Sequence, residues 1–208
     1  MSSLPVYRSI LVLDIERSTS ALRTNPIRQE LRDRLYGFLA RAMAFAGIEE
    51  RFLDPLEDRG DGVLALLRPV DQVPKSHLLS RLVPELVRLL ADHDLELPPG
   101  ERARRGLRLR AAVHAGEVHL DGNGCFGEAV DVACRMLDAP RLKGLLRAVE
   151  APLVLGVSED IYRGVVRHGY DGIDTDAYRF GYSVLVGERR HRVFVHVPSV
   201  MAVVEAAS

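Results

Sequence analysis

Apolar positions along the chain follow two alternating rhythms. Residues 7–14, YRSILVLD, are a run of Ile, Leu and Val closed by an acid, the pattern of a strand covered on both faces. After the polar ERSTSALRT, Asn25-Pro26 offers an N-cap and a first helical position. Ile27, Leu31, Leu35, Phe38, Ala42 and Phe45 then recur every three or four residues, which predicts a long amphipathic helix that Gly47 can stop. Residues 51–56 and 63–67 read as two strands of a hairpin around the turn EDRGDG. A second helix is predicted over 77–93, with Leu78, Leu82, Leu86, Leu89 and Leu90 on one face, before Pro98-Pro99-Gly100 breaks the chain. A strand over 107–114 follows, with 117–120 as its continuation or its partner. Then come a glycine-rich loop, DGNGCFG, a helix over 128–137 ended near Pro140, and a strand over 152–157. A helix over 159–168 and strands around 182–186 and 192–197 complete the order.

The order β-α-β-β-α-β, followed by further α and β elements, predicts an α+β fold with a ferredoxin-like βαββαβ core and a C-terminal αβ elaboration. With no internal repeat or interdomain linker, the 208 residues are expected to form a single domain over 1–208. Its core spans about 7–157 and the elaboration about 158–208.

Composition narrows the field modestly. A hydrophobic content of 47% with 27% charged residues suits a globular protein, and a net charge of -1 gives no overall pull toward nucleic acid or an anionic membrane. Cys125 and Cys134 are too few for a disulfide scaffold and lack zinc-ligand spacing, which fits a reducing, cytoplasmic location. MSSLPVYRS has no basic segment leading into a long apolar run, and no apolar stretch approaches roughly 18 residues. Neither a signal peptide nor a membrane partner is expected. The basic RARRGLRLR lacks interleaved aromatics and leads straight into a strand, so it reads as a solvated loop and no nucleic-acid partner is expected. His114 and His119, at odd spacing on extended chain, face opposite sides and do not share a metal.

Three pieces far apart in the chain carry candidate chemistry. They are LDIERST, with Asp14 at the end of the first strand; EDRGDG, with Asp61 in the hairpin turn; and RAAVHAGEV followed by CFGEAVDVACRM, with Arg135 one helical turn after Asp131. Singly, Asp14 can merely end a strand and Asp61 can merely fill a turn. Together and in this order, over roughly residues 7–157, they resemble the catalytic domain of the class III nucleotidyl (adenylate and guanylate) cyclases.

That resemblance implies a purine nucleoside triphosphate substrate and a two-metal site of Mg²⁺ or Mn²⁺. The ions would be held by Asp14, Asp61 and the backbone carbonyl of Ile15, lowering the pKa of the attacking hydroxyl and neutralising the leaving group. It implies that free N–H groups of 16–20 meet the β- and γ-phosphates, with Thr19 at the family's hydroxyl position and Ser18 in place of its usual aromatic. Arg135 matches the arginine that stabilises charge on the α-phosphate. Asp131 stands where the family has an asparagine that orients the ribose. Glu57 falls at the base-reading position, where a carboxylate accepts from guanine N1–H and the 2-amino group; a plain solvent-facing acid is the other reading. The second base-reading position falls at Gly124, with Cys125 one residue later. Arg110 matches a frequent family arginine able to meet phosphate, or is an edge-of-strand charge. Lys143, past Pro140, reads as a surface residue, and Arg17 and Arg59 are further cationic candidates.

The implied activity converts GTP or ATP to the 3′,5′-cyclic nucleotide and pyrophosphate. The implied assembly is a head-to-tail homodimer, with Asp14, Glu57 and Asp61 from one chain and Arg135 and Asp131 from the other. The alternative is a regulatory module that has lost turnover and senses a nucleotide or binds a protein partner, because an ionised Asp131 cannot donate to the ribose ring oxygen.

Overall fold

A computed structural model describes residues 4–199. Strand β1 (Val6–Ile15) lies near the middle of the sheet, flanked by β3 (Gly62–Leu67) and β4 (Leu109–Asp121), both antiparallel to it. A two-residue strand, β2 (Glu57–Asp58), borders β3, so β2-β3-β1-β4 reproduces the antiparallel order of a ferredoxin-like core. Beyond β4 the sheet continues through β6 (Leu153–Ser158), parallel to β4, and then antiparallel β8 (Arg189–His196) and β7 (Arg179–Val186). The short β5 (Gly124–Phe126) folds back on the end of β4.

Both faces of the sheet are covered, which is why β1 reads as an unbroken apolar run. Leu11, Leu13 and Ile15 pack with helix α1 (Asn25–Phe45) and helix α2 (Val83–Glu96). Ile10 and Val12 point the other way, into a second core with helix α4 (Glu128–Asp138) and helix α5 (Pro140–Ala148). Period-two alternation therefore puts Asp14, and its register partner Arg110, on the α4–α5 face.

The structure shifts several expected boundaries. Thr24, not Asn25, is the N-cap of α1. Residues 51–56 do not form a strand: Glu50–Phe52 is a 3-10 turn, Leu53 makes an isolated bridge to Leu67, and only Glu57–Asp58 pairs with β3. Pro55 has no N–H for a ladder, and Asp54 is buried between Arg8 (2.5 Å) and Arg68 (3.2 Å). The helix expected over 77–93 opens with a π-helical turn, Leu78–Leu82, and runs on to Glu96. Residues 109–121 form one strand through Gly116, where an added Cβ would lie 2.7 Å from that of Ala129 on α4. The helix expected to end near Pro140 does so, at Asp138, and Pro140 then opens a further helix, α5, as its first residue. The helix expected over 159–168 divides into α6 (Glu159–Gly164) and a 3-10 turn, Val166–His168.

The basic stretch opens as a short helix, α3 (Arg102–Arg105), and its charges are met locally: Arg102 by Asp94, Arg104 by Glu101, and Arg105 by Glu30 and Glu101. Among the described residues no helix is long and apolar enough to cross a membrane.

Candidate active site

Asp14 is the penultimate residue of β1, opposite Gly62 on β3 and Arg110 on β4. Gly62 is required there, since any side chain would run into the Leu13 carbonyl oxygen. The neighbouring Asp61 accepts the Ile15 amide through its backbone carbonyl at 3.0 Å, so Asp14, Ile15 and Asp61 meet at one end of the sheet. The turn carrying Asp61 is fixed by Gly60 in a left-handed conformation (φ +79°). Asp58 accepts the Gly60 amide at 2.7 Å and a bidentate grip from Arg32 on α1 (2.9 and 2.7 Å). Asp58 thus shapes the turn.

Residues 16–24 wrap this end of the sheet. Arg17 adopts a left-handed φ of +55°, and Ser20 N–H closes onto the Arg17 carbonyl at 2.9 Å. The Glu16 amide is taken by the Arg108 carbonyl at 2.8 Å. Arg23 anchors the loop from beneath: it is buried and donates to the carbonyls of Glu16 and Gly106, both at 2.7 Å. Its pKa is lowered by burial. The Ser18 hydroxyl donates to the Asp61 carboxylate.

Two adjoining cavities open here, both lined by Ile15, Ser18, Thr19 and Asp61. One, about 290 Å³, reaches α1 at Arg28, Leu31 and Arg32. The other, about 470 Å³, reaches Arg110 on β4 and Lys143, Leu146 and Arg147 on α5. Lys143, expected as a surface residue, therefore faces the same space as Asp61, although its ammonium also bonds Asp138 at 3.0 Å. Arg147 was not anticipated at all. The Pro-Arg-Leu-Lys stretch that starts α5 was the signal, a proline at the first helical position followed by apolar residues at helical spacing.

Arg110 is paired with the Asp14 carboxylate, and burial lowers its pKa. Asp14 Oδ1 and Arg110 Nε are both buried without a hydrogen-bond partner. Hard oxygen donors are present: Asp61 lines both cavities, Asp14 keeps one buried oxygen without a partner although it lines neither, and no thiol or imidazole lines them. No cluster of three or more His, Cys, Asp or Glu side chains exists among the described residues. An Mg²⁺ or Mn²⁺ ion would therefore complete its shell with a backbone carbonyl, water and substrate oxygens.

A second group of predicted residues lies elsewhere. Glu57 accepts the Cys125 amide through Oε1 and pairs with Arg59 at 3.0 Å through Oε2. A Cβ at Gly124 would sit 2.9 Å from the same carboxylate. Burial, and then the hydrogen bond to Glu57, push the Cys125 thiol up to about 12. The Cys134 thiol on α4 is raised by burial and also feels the charges of Glu57, Arg59 and Asp131. Asp131 and Arg135 stand one turn apart on the exposed face of α4, and neither lines the cavities at Asp61. Glu57 thus contacts Cys125 and Arg59 and lines neither cavity at Asp61.

An α+β sheet with this topology has the fold of the adenylate/guanylate cyclase catalytic domain, in agreement with the motif resemblance. An adenylate/guanylate cyclase/hydrolase from Silicibacter pomeroyi matches 94% of this chain and 99% of its own at 21% identity, with a TM-score of 0.60. The adenylyl cyclase CyaB from P. aeruginosa matches 96% of this chain and 97% of its own at 16% identity, also at 0.60. A guanylyl cyclase structure matches 95% of this chain and 94% of its own at 14% identity, again at 0.60. No protein-family model and no curated protein matches the sequence.

Proposed function

We propose that this chain binds a purine nucleoside triphosphate with Mg²⁺ or Mn²⁺ between two head-to-tail copies and closes it to the 3′,5′-cyclic nucleotide, releasing pyrophosphate. The observation that carries this reading is a cavity lined by Ile15, Asp61, Arg110, Lys143 and Arg147, with Asp14 buried beside it and paired with Arg110, in a cyclase-like fold. Bound divalent ions would supply charge neutralisation and acidify the attacking hydroxyl. The amides of Arg17, Ser18 and Thr19, with Arg110, Lys143 and Arg147, bind the terminal phosphates. Thr19 contributes its hydroxyl beside them.

The remaining groups come from the second copy. Glu57 and Cys125 read the base, Asp131 accepts from a ribose hydroxyl, and Arg135 stabilises charge developing on the α-phosphate. To accept from guanine, Glu57 exchanges its Arg59 partner for the base, so GTP is favoured over ATP.

The test is incubation of the purified protein with GTP or ATP and Mn²⁺, with products identified by mass spectrometry beside an Asp14→Ala control. Cyclic nucleotide that vanishes in the control is the expected result. Absence of product together with nucleotide-dependent thermal stabilisation would establish the regulatory module instead.

A further inference from the structure

We propose that Arg110 is a shared counter-ion that makes cation and polyphosphate binding mutually dependent: it holds the Asp14 carboxylate until phosphate draws it away. The inference rests on the reading of Asp14 and Asp61 as cation ligands.

Asp14 and Arg110 are cross-strand partners on the same face of the sheet, each with only 11% of its side chain exposed. Leu142 and Leu146 of α5, both fully buried, pack into the core on that face. The pair is incomplete. A guanidinium and a carboxylate can satisfy each other through two parallel bonds, but here Arg110 Nε has no acceptor and Asp14 Oδ1 has no donor. Each partner therefore keeps one unmet valence of opposite chemistry: the arginine lacks an anionic oxygen, and the carboxylate lacks a cation or a donor.

A divalent cation arriving alone must share Asp14 with a guanidinium, placing like charges side by side. A polyphosphate arriving alone must share Arg110 with a carboxylate, which is the mirror-image conflict. Arriving together, each removes the other's obstacle. Arg110 turns to phosphate oxygens, joined by Lys143 and Arg147 across the same cavity, and Asp14 is released to the cation. The dependence is reciprocal by linkage.

Single-ligand titrations of the full chain test this without turnover. Mn²⁺ binding, followed through the electron paramagnetic resonance signal of free Mn²⁺, is expected to be at least about tenfold tighter in Arg110→Gln than in the native chain. Arg110→Lys, which keeps the charge, is expected to bind Mn²⁺ as weakly as the native chain. Conversely, metal-free tripolyphosphate, measured calorimetrically in the presence of chelator, is expected to bind at least about tenfold tighter to Asp14→Asn. Equal Mn²⁺ affinity in the native chain and Arg110→Gln, abolished in both by Asp61→Ala, would overturn the inference and leave the cation reading standing. No Mn²⁺ binding by an Arg110→Gln chain shown to be folded would overturn both. Unchanged tripolyphosphate affinity in Asp14→Asn would overturn the inference from the phosphate side, even where Arg110→Gln fails to fold.

Discussion

His114 stands on β4 with its Nδ1 2.8 Å from the hydroxyl of Ser158, which in turn caps α6 by accepting the Ile161 amide at 3.4 Å. The ring is buried, and burial pushes its pKa down to about 4, so it is neutral in the folded protein at physiological pH. The unfolded chain, with an ordinary histidine near 6.5, binds more protons between these two values. Stability contributed by neutral His114 is therefore complete above about pH 6.5 and is lost as pH falls toward 4. The loss is about 2 kcal/mol between pH 7 and pH 5. Urea unfolding at the two pH values should show it, and His114→Gln should remove most of the difference; an equal drop in the variant would locate the proton uptake elsewhere. Asp131 poses the other residue-scale question. In the proposed complex a carboxylate there would accept from a ribose hydroxyl but offer no N–H to the ring oxygen, and it would add negative charge beside the triphosphate. Asp131→Asn should raise turnover by tenfold or more, in the range of one transition-state hydrogen bond. Unchanged or lower turnover would count against a ribose role.

At the scale of elements, the cation-rich wall depends on α5, and α5 depends on Arg108. That guanidinium donates to the carbonyls of Leu146 (2.5 Å), Val149 (2.5 Å) and Ala151 (3.1 Å) at the end of α5, and to Glu16 at 3.0 Å. It therefore ties the helix bearing Lys143 and Arg147 to the loop bearing Ser18 and Thr19. It also places positive charge at a helix C-terminus. Arg108→Ala should cost roughly 1–3 kcal/mol in urea unfolding, because buried carbonyls lose their donor. It should also raise KM for the triphosphate several-fold, and Arg108→Lys should not restore it, since one ammonium cannot span that fork. Stability loss with KM unchanged would reduce Arg108 to a helix staple. What the chain's pattern revealed, and what it hid, divides along the same line. The apolar runs of β1 and β4 and the periodicity of α1 and α4 are legible because burial on a sheet or helix face imposes a period on the sequence. The positions of Asp14 and Asp61 are legible because they border such runs, Asp14 near the end of one and Asp61 just before another. The wall formed by Lys143 and Arg147 was not, because Pro140 is a helix breaker or a helix starter depending on where the previous helix happens to end. Nor was the pairing of Glu57 with Cys125, because it depends on β5 folding back over the end of β4, and a three-residue strand leaves no periodic mark.

At the scale of the molecule, one chain holds its candidate site residues in two separate groups. Asp61, Arg110, Lys143 and Arg147 line one cavity, with Asp14 buried against Arg110; Arg135 and Asp131 lie on the exposed face of α4, with Glu57 and Cys125 beside it. If two copies join head to tail, each active site takes one half from each copy, and complementation between inactive variants exposes the arrangement. Asp14→Ala and Arg135→Ala should each be inactive alone. Mixed in equal amounts after exchange, half the dimers pair unlike copies, and each of those rebuilds one of its two sites, so about a quarter of native activity should return. Dilution should lower specific activity in the same preparations. Glu57 decides between the two possible groupings. If it reads the base beside Arg135 of its own chain, Glu57→Ala should complement Asp14→Ala and fail to complement Arg135→Ala. The opposite pattern would return Glu57 to the half-site of Asp14 and Asp61, against its contacts with Cys125. A mixture of Asp14→Ala and Arg135→Ala that stays inactive, while the native chain turns over, would mean that both halves act within a single copy.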